Sequence, residues 1–116
     1  MTPEDFRRLA LSMPAAVKVF RRGHSEFRVE RKTFASLEGP ADSVAMLNLT
    51  PEQQAMFVHA GPRVFVSAAG GWGRLGSTSV LLASAKEAMV ESALEMAWRN
   101  AAPKSLLRRI DKPPPA

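Results

Sequence analysis

The chain has 116 residues, 46% of them hydrophobic and 23% charged, with a formal net charge of +5, and these values predict a single globular domain with its own core. The absence of cysteine excludes disulfides, thiolate metal sites and a cysteine nucleophile, and it suits a cytoplasmic protein. No apolar stretch approaches the roughly 20 residues that span a bilayer, and the first residues alternate polar and charged groups, so we expect neither a membrane span nor a signal peptide.

The N-terminal half predicts a helix followed by four short strands. Thr2-Pro3-Glu4-Asp5 is typical of a helix start, and apolar residues three and four apart follow it until Pro14. Four short strands joined by polar connections indicate an antiparallel meander. The strands are expected at 17–22, 27–30, 33–38 and 43–49, with turns at 23–25, 31–32 and 38–42.

The C-terminal half predicts two further helices. Thr50 and Gln53 have capping-box spacing for a helix that ends near His59, and Ser84 and Glu87 have the same spacing before a long amphipathic helix. Strands are expected at 64–66 and 78–83, separated by a glycine-rich loop at 68–76. Pro103 ends or kinks the long helix, and 104–110 is expected to add a helical turn or two.

Clustered strands predict an α+β fold rather than an α/β fold. We expect an antiparallel sheet packed against helices in the order α-β-β-β-β-α-β-β-α, within one domain at 1–110, followed by a flexible proline-rich tail at 111–116. The predicted common core contains Phe27, Val29, Phe34, Leu94 and Trp98.

The positive charge is concentrated in two segments. Residues 15–32 and residues 99–116 each carry a net charge of +4, whereas residues 33–98 carry −3. Outward basic groups of a hairpin can contact nucleic-acid phosphates. The alternative is a solvated sheet face whose cations are partly paired with Glu26 and Glu30. The candidate nucleic-acid-binding residues are Arg21, Arg22, Arg28, Arg31, Lys32, Arg74, Lys104, Arg108 and Arg109.

The segment Gly71-Trp72-Gly73-Arg74-Leu75-Gly76 has the glycine spacing of a dinucleotide-binding loop. Such a loop needs a helix directly after it, and residues 78–82 are instead typical of a strand, so no nucleotide cofactor is expected. Two alternatives remain open for this loop. It presents Trp72 and Arg74 to a protein partner or small ligand, or Trp72 folds back to cap the core.

No catalytic or metal-binding pattern is recognisable in the sequence. His24 and His59 lie far apart with no paired histidine motif, and no nucleophile-elbow pattern positions a serine. The glutamates at 87, 91 and 95 lie opposite an apolar stripe, which is typical of a solvated helix face. We therefore predict a binding protein, with no enzymatic activity, no cofactor and no metal.

Five segments of the chain stand out together: 23–29, 32–37, 49–54, 70–74 with Thr78, and 97–100 with 102–104. In order and at suitable spacing, up to about Leu107, they resemble the MmcQ/YjbR family of small bacterial proteins. The resemblance implies a compact α+β fold with wing-like hairpins and an association with DNA binding, and it implies no enzymatic activity and no residue-level site. The chain departs from the family pattern at Lys18, where an acidic residue is frequent, and at Glu30-Arg31, where a glycine-containing turn is usual.

These observations together predict weak and largely sequence-nonspecific DNA binding through the basic hairpin and the C-terminal segment. The expected mechanism is phosphate neutralisation rather than the reading of base edges. The alternative function is a protein-interaction or small-ligand-binding domain that uses the Trp72 loop. The sequence leaves the oligomeric state open.

Overall fold

Six strands form one antiparallel sheet in the order β1-β2-β3-β4-β6-β5, which confirms the predicted fold class. The computed structural model describes residues 1–111. Of the predicted tail at 111–116 only Asp111 is described, as the last residue of a helix, and the rest lies outside the described residues. The strands are β1 Ala16–Arg21, β2 His24–Val29, β3 Lys32–Glu38, β4 Val44–Asn48, β5 Phe65–Ser67 and β6 Ser77–Leu81. The helices are α1 Pro3–Ser12, α2 Pro51–Ala60, α3 Gly70–Arg74, α4 Glu87–Ala101 and α5 Lys104–Asp111.

The two faces of the sheet follow from the cross-strand register. Residues directly opposite in neighbouring strands share a face, and successive residues of one strand alternate between faces. Within β2, β3, β4 and β6, one row of residues is apolar apart from Thr78 and packs against the helices, whereas the adjacent row is mostly polar. The first row is Phe27, Ala35, Leu47 and Thr78, and the second is Glu26, Ser36, Met46 and Ser79.

Helix α4 supplies the centre of the core. Phe27, Val29, Phe34 and Leu94 are fully buried and Trp98 is 2% exposed, so the predicted core is confirmed. The indole Nε1 of Trp98 donates a hydrogen bond to the carbonyl oxygen of Pro14 at 3.0 Å, which satisfies its one polar group. Among residues 1–111, no helix is long and apolar enough to cross a bilayer.

Both hairpin turns fall earlier than predicted. The chain turns at Arg22–Gly23 and at Glu30–Arg31, so that His24 and Ser25 belong to β2 and Lys32 begins β3. All four turn residues have positive φ, with values of 53° and 81° in the first turn and 45° and 73° in the second. Two-residue loops with this geometry match the twist of the flanking strands, which explains their position.

Two other local expectations were wrong. Ser84 does not cap α4, because it ends a short 3-10 turn at Leu82–Ser84, and the helix starts at Glu87 without a side-chain cap. The glycine-rich segment is not a loop throughout, since residues 70–74 form α3. The observed order therefore contains α3 between β5 and β6. It also contains α5, which confirms the helical turns expected after Pro103.

Candidate nucleic-acid interface

The two hairpin turns place the predicted basic residues at opposite ends of the sheet. Arg21 and Arg22 precede β2, whereas Arg31 and Lys32 follow it. A strand of this length with a rise of about 3.3 Å per residue separates its two ends by roughly 17 Å. The basic segment at 15–32 is therefore divided into two clusters.

The β2–β3 turn lies at the same end of the sheet as the C-terminal basic segment. Lys32 lines a groove of about 400 Å³ together with Asn48, Asn100 and Ala101. Since α4 ends at Ala101 and α5 begins at Lys104, the first residue of α5 is only three residues beyond this groove.

Helix α3 reaches the same end through contacts with α2. The side-chain nitrogen Nε2 of Gln54 donates to the carbonyl oxygens of Gly73 and Ser77 at 3.0 and 2.9 Å. The neighbouring Gln53 accepts a hydrogen bond from Nδ2 of Asn100 at 2.7 Å. These bonds bring α3, the start of α2 and the end of α4 together, and Arg74 with them. We call this cluster the basic end; its cations are Arg31, Lys32, Arg74, Lys104, Arg108 and Arg109.

Helix α5 presents its cations on a surface anchored by one buried residue, Leu106. Lys104 and Arg108 are exposed and lie four residues apart, so they share a helix face and repel each other by about 0.2–0.5 kcal/mol. Asp111 does not relieve this repulsion by an ion pair. Its two oxygens accept hydrogen bonds from Arg99 at 2.9 and 3.0 Å, and this contact holds the pKa of Asp111 below its usual value.

No cation of the basic end forms an ion pair with a carboxylate of residues 1–111. The nearby unpaired acidic groups by sequence position are Glu30 in the turn and Glu52 at the start of α2. By sequence position, the basic end thus holds six cations and two unpaired carboxylates, a net charge of +4.

Arg28 differs from the other predicted residues because its charge is matched. Its Nη2 lies 2.7 Å from Oε1 of Glu26, and both side chains are only about one-fifth exposed. Thr33 also donates to that carboxylate. The hydrogen bond from Arg28 lowers the pKa of Glu26, with a smaller contribution from Thr33. The predicted alternative of partial pairing with Glu26 therefore describes Arg28, and we leave this residue out of the basic end.

Trp72 lies beside a second groove, which we call the polar groove. It occupies about 560 Å³ on the polar face of the sheet, and its floor is formed by β3, β4 and β6. The Trp72 side chain is 72% exposed, so it does not cap the core, and the buried tryptophan is Trp98. The polar groove is lined by Glu26, Ser36, Glu38, Asn48, Trp72 and Ser79, among others.

Asn48 connects the two grooves and Asn100 is hydrogen-bonded to it; neither residue was among the predicted site residues. Asn48 lines both grooves and donates from Nδ2 to the carbonyl oxygen of Thr33 at 2.7 Å, while Asn100 donates to the carbonyl oxygen of Asn48 at 3.2 Å. Asn48 is the only polar residue of β4, and the two-residue period of a strand places it on the same face as Met46, so its polarity in an otherwise apolar strand is a signal that the sequence contained. The role of Asn100 depends on how α4 ends against the sheet, and no local pattern indicates it.

The fold and its two surfaces define a small α+β protein with a basic end and an adjoining polar groove. The chain belongs to the YjbR family, whose sequence model matches residues 11–100, and the resemblance is thereby confirmed. A solved structure of a Deinococcus radiodurans protein with a DUF419 domain is similar in fold, with a TM-score of 0.72 and 14% identity, covering 97% of this chain and 89% of that one. No curated protein sequence matches the chain.

Proposed function

We propose that this protein binds DNA weakly and with little sequence preference, through phosphate contacts at the basic end. The observation that carries the proposal is the position of Arg31, Lys32 and Arg74 at one end of the sheet, where α4 ends and leads within three residues into the basic helix α5; none of these cations forms an ion pair within residues 1–111. Cations that repel one another, such as Lys104 and Arg108, are stabilised when a polyanion binds between them. The proposed function is therefore one of binding rather than catalysis.

The geometry favours contacts with the phosphate backbone over the reading of base edges. A recognition helix presents a polar, hydrogen-bonding face to the major groove. Helix α5 is the most basic helix described, but it is eight residues long and uses Leu106 to anchor itself to the core. Its exposed arginines are suited to neutralising phosphates, which releases counterions and makes affinity fall with salt.

The test compares two variants that remove the same charge from different places. The first combines Arg31→Gln, Arg108→Gln and Arg109→Gln, and the second combines Arg22→Gln, Arg63→Gln and Lys86→Gln, all exposed positions. Binding of a short duplex is measured by fluorescence anisotropy over a range of salt concentrations. We expect the slope of log affinity against log salt to fall by about 0.9 per lost contact, or roughly 2.7, in the first variant only.

Equal losses in the two variants would show that net charge, and not the basic end, determines binding. If the wild-type protein binds neither duplex nor single-stranded DNA at low salt, the DNA proposal fails. The protein-interaction or small-ligand function of Trp72 then takes its place, which its 72% exposure beside a groove of about 560 Å³ supports.

A further inference from the structure

We infer that the polar groove receives an unstacked base against Trp72, so that the preferred ligand of the basic end is a single strand rather than a duplex. This inference rests on the proposed function, because it assumes that phosphates bind at the basic end. It specifies a second contact, which only an unpaired strand can make. A base inside a duplex is stacked on both faces, whereas a single strand can place a base on an aromatic side chain.

Trp72 is held in place although its side chain is exposed. A Cβ atom added at the next residue, Gly73, would lie 1.8 Å from the carbonyl oxygen of Ala68, so the backbone of α3 packs directly on the preceding segment. The bond from Gln54 to the Gly73 carbonyl fixes the helix from the other side. The indole is therefore presented by a rigid backbone, and its exposed ring is available for stacking.

The polar groove has the size and chemistry for a base but not for a phosphate. Its volume of about 560 Å³ is in the range of sites for small organic molecules. Asn48 and Ser79 offer an amide and a hydroxyl, and the carboxylates of Glu26 and Glu38 can accept hydrogen bonds from base amino groups. Glu38, which forms no ion pair within residues 1–111, repels phosphate and keeps the backbone of the strand outside the groove, whereas the charge of Glu26 is matched by Arg28.

The basic end and the polar groove form one continuous path. Thr33 and Asn48 line the polar groove and also the groove that contains Lys32. Strands β3 and β6 are separated only by β4, so the path crosses two strand spacings, or about 10 Å. A strand whose phosphates contact Lys32 and Arg31 is thus near enough to place a neighbouring base on Trp72.

The experiment measures binding of a 12-nucleotide single strand and of the duplex with the same sequence, by anisotropy at fixed salt. It uses the wild-type protein, Trp72→Ala and Trp72→Phe. We expect the wild type to prefer the single strand, and Trp72→Ala to weaken single-strand binding about tenfold, a typical value for the loss of one stacked base. Duplex affinity and its salt slope should be unchanged. Trp72→Phe keeps an aromatic ring and should retain most of the preference.

Tryptophan fluorescence gives a second readout, because Trp98 is 2% exposed and Trp72 is 72% exposed. Single strands should quench the emission of Trp72, and duplexes should not. The inference is overturned if Trp72→Ala binds single strands as well as the wild type does. If the triple variant Arg31→Gln, Arg108→Gln and Arg109→Gln still binds more weakly, the proposed function stands. If the wild type binds no DNA at all, both the proposed function and this inference are overturned. If Trp72→Ala loses duplex and single-strand affinity equally, only the base contact with Trp72 is overturned.

Discussion

Arg28 and Arg31 are close in sequence, but their surroundings determine whether the charge of each is available to a ligand. Arg28 lies within β2 and donates two hydrogen bonds to Glu26, at 2.7 and 3.2 Å, so its charge is largely compensated. Arg31 lies at the tip of the next turn, where it is exposed and has a φ of 73°. A non-glycine residue pays an energetic penalty for this backbone conformation. The chain thus keeps a cation at a position where glycine would be more stable.

The Glu30–Arg31 turn provides a prediction on stability and binding together. Replacing both residues by Asn-Gly, the pair that type I′ turns prefer, should stabilise the fold by roughly 1–2 kcal/mol, because both positions have positive φ. The same change removes the Glu30 carboxylate together with Arg31, so the local net charge is unchanged, but the loss of one phosphate contact should lower the salt slope of DNA binding by about 0.9. Urea unfolding and anisotropy measure the two effects. As a control, Arg31→Lys keeps the charge and the strained turn, so it should change neither the stability nor the DNA affinity. If the Asn-Gly variant is less stable than the wild type, the argument from backbone strain is wrong.

At the scale of elements, local signals predicted most of the helices and strands. Thr2 and Thr50 are predicted caps, and both accept hydrogen bonds from the backbone three residues later, at 3.0 and 3.2 Å. The capping signal at Ser84 failed because a 3-10 turn separates it from α4. Helix α3 was missed because three of its five residues are glycine, which disfavours a helix locally. Tertiary contacts with α2 and Ala68 stabilise it instead.

The candidate site was predictable as a set of residues but not as a surface. Charge patterning identified the cations and the Trp72 segment. Their grouping depends on which end of β2 each turn occupies and on the pairing of Asn48 with Ser77, which joins segments almost 30 residues apart. Sequence spacing carries little information on such long-range register. It therefore placed Arg21 and Arg31 in one cluster, whereas the fold places them at opposite ends of the sheet.

The two glycines around Trp72 give a matched test of how α3 is held. Gly73→Ala should destabilise the protein by about 3 kcal/mol or displace α3, since its Cβ would overlap the Ala68 carbonyl oxygen. Gly71→Ala adds the same methyl group to the same helix where no atom lies within 4 Å, and it should be neutral or stabilising by up to about 1 kcal/mol. Thermal unfolding of both variants checks this. Equal stabilities would contradict the close contact at Gly73.

At the scale of the molecule, one core supports two different surfaces. The apolar face of the sheet packs under the helices around Leu94 and Trp98, which leaves the opposite face free to carry the polar groove. Because the strands run antiparallel, the turns and helix ends gather at the two ends of the sheet. Six of the cations that form no ion pair within residues 1–111 belong to the basic end, whereas others, such as Arg21 and Arg22, lie at the opposite end. The basic end and the polar groove are thus separate surfaces that adjoin each other at Asn48.

This arrangement predicts that the whole protein unfolds as one unit through the core around α4. Leu94 is fully buried, so Leu94→Ala should reduce the free energy of unfolding by roughly 2–5 kcal/mol. Leu75 is 71% exposed, and Leu75→Ala, the same truncation on the surface, should change it by less than about 0.5 kcal/mol. Urea unfolding should give coincident transitions by circular dichroism, which reports all helices and strands, and by Trp98 fluorescence in a Trp72→Phe background. Two separate transitions, or similar losses for the two leucines, would show that α4 and the sheet do not share one cooperative core.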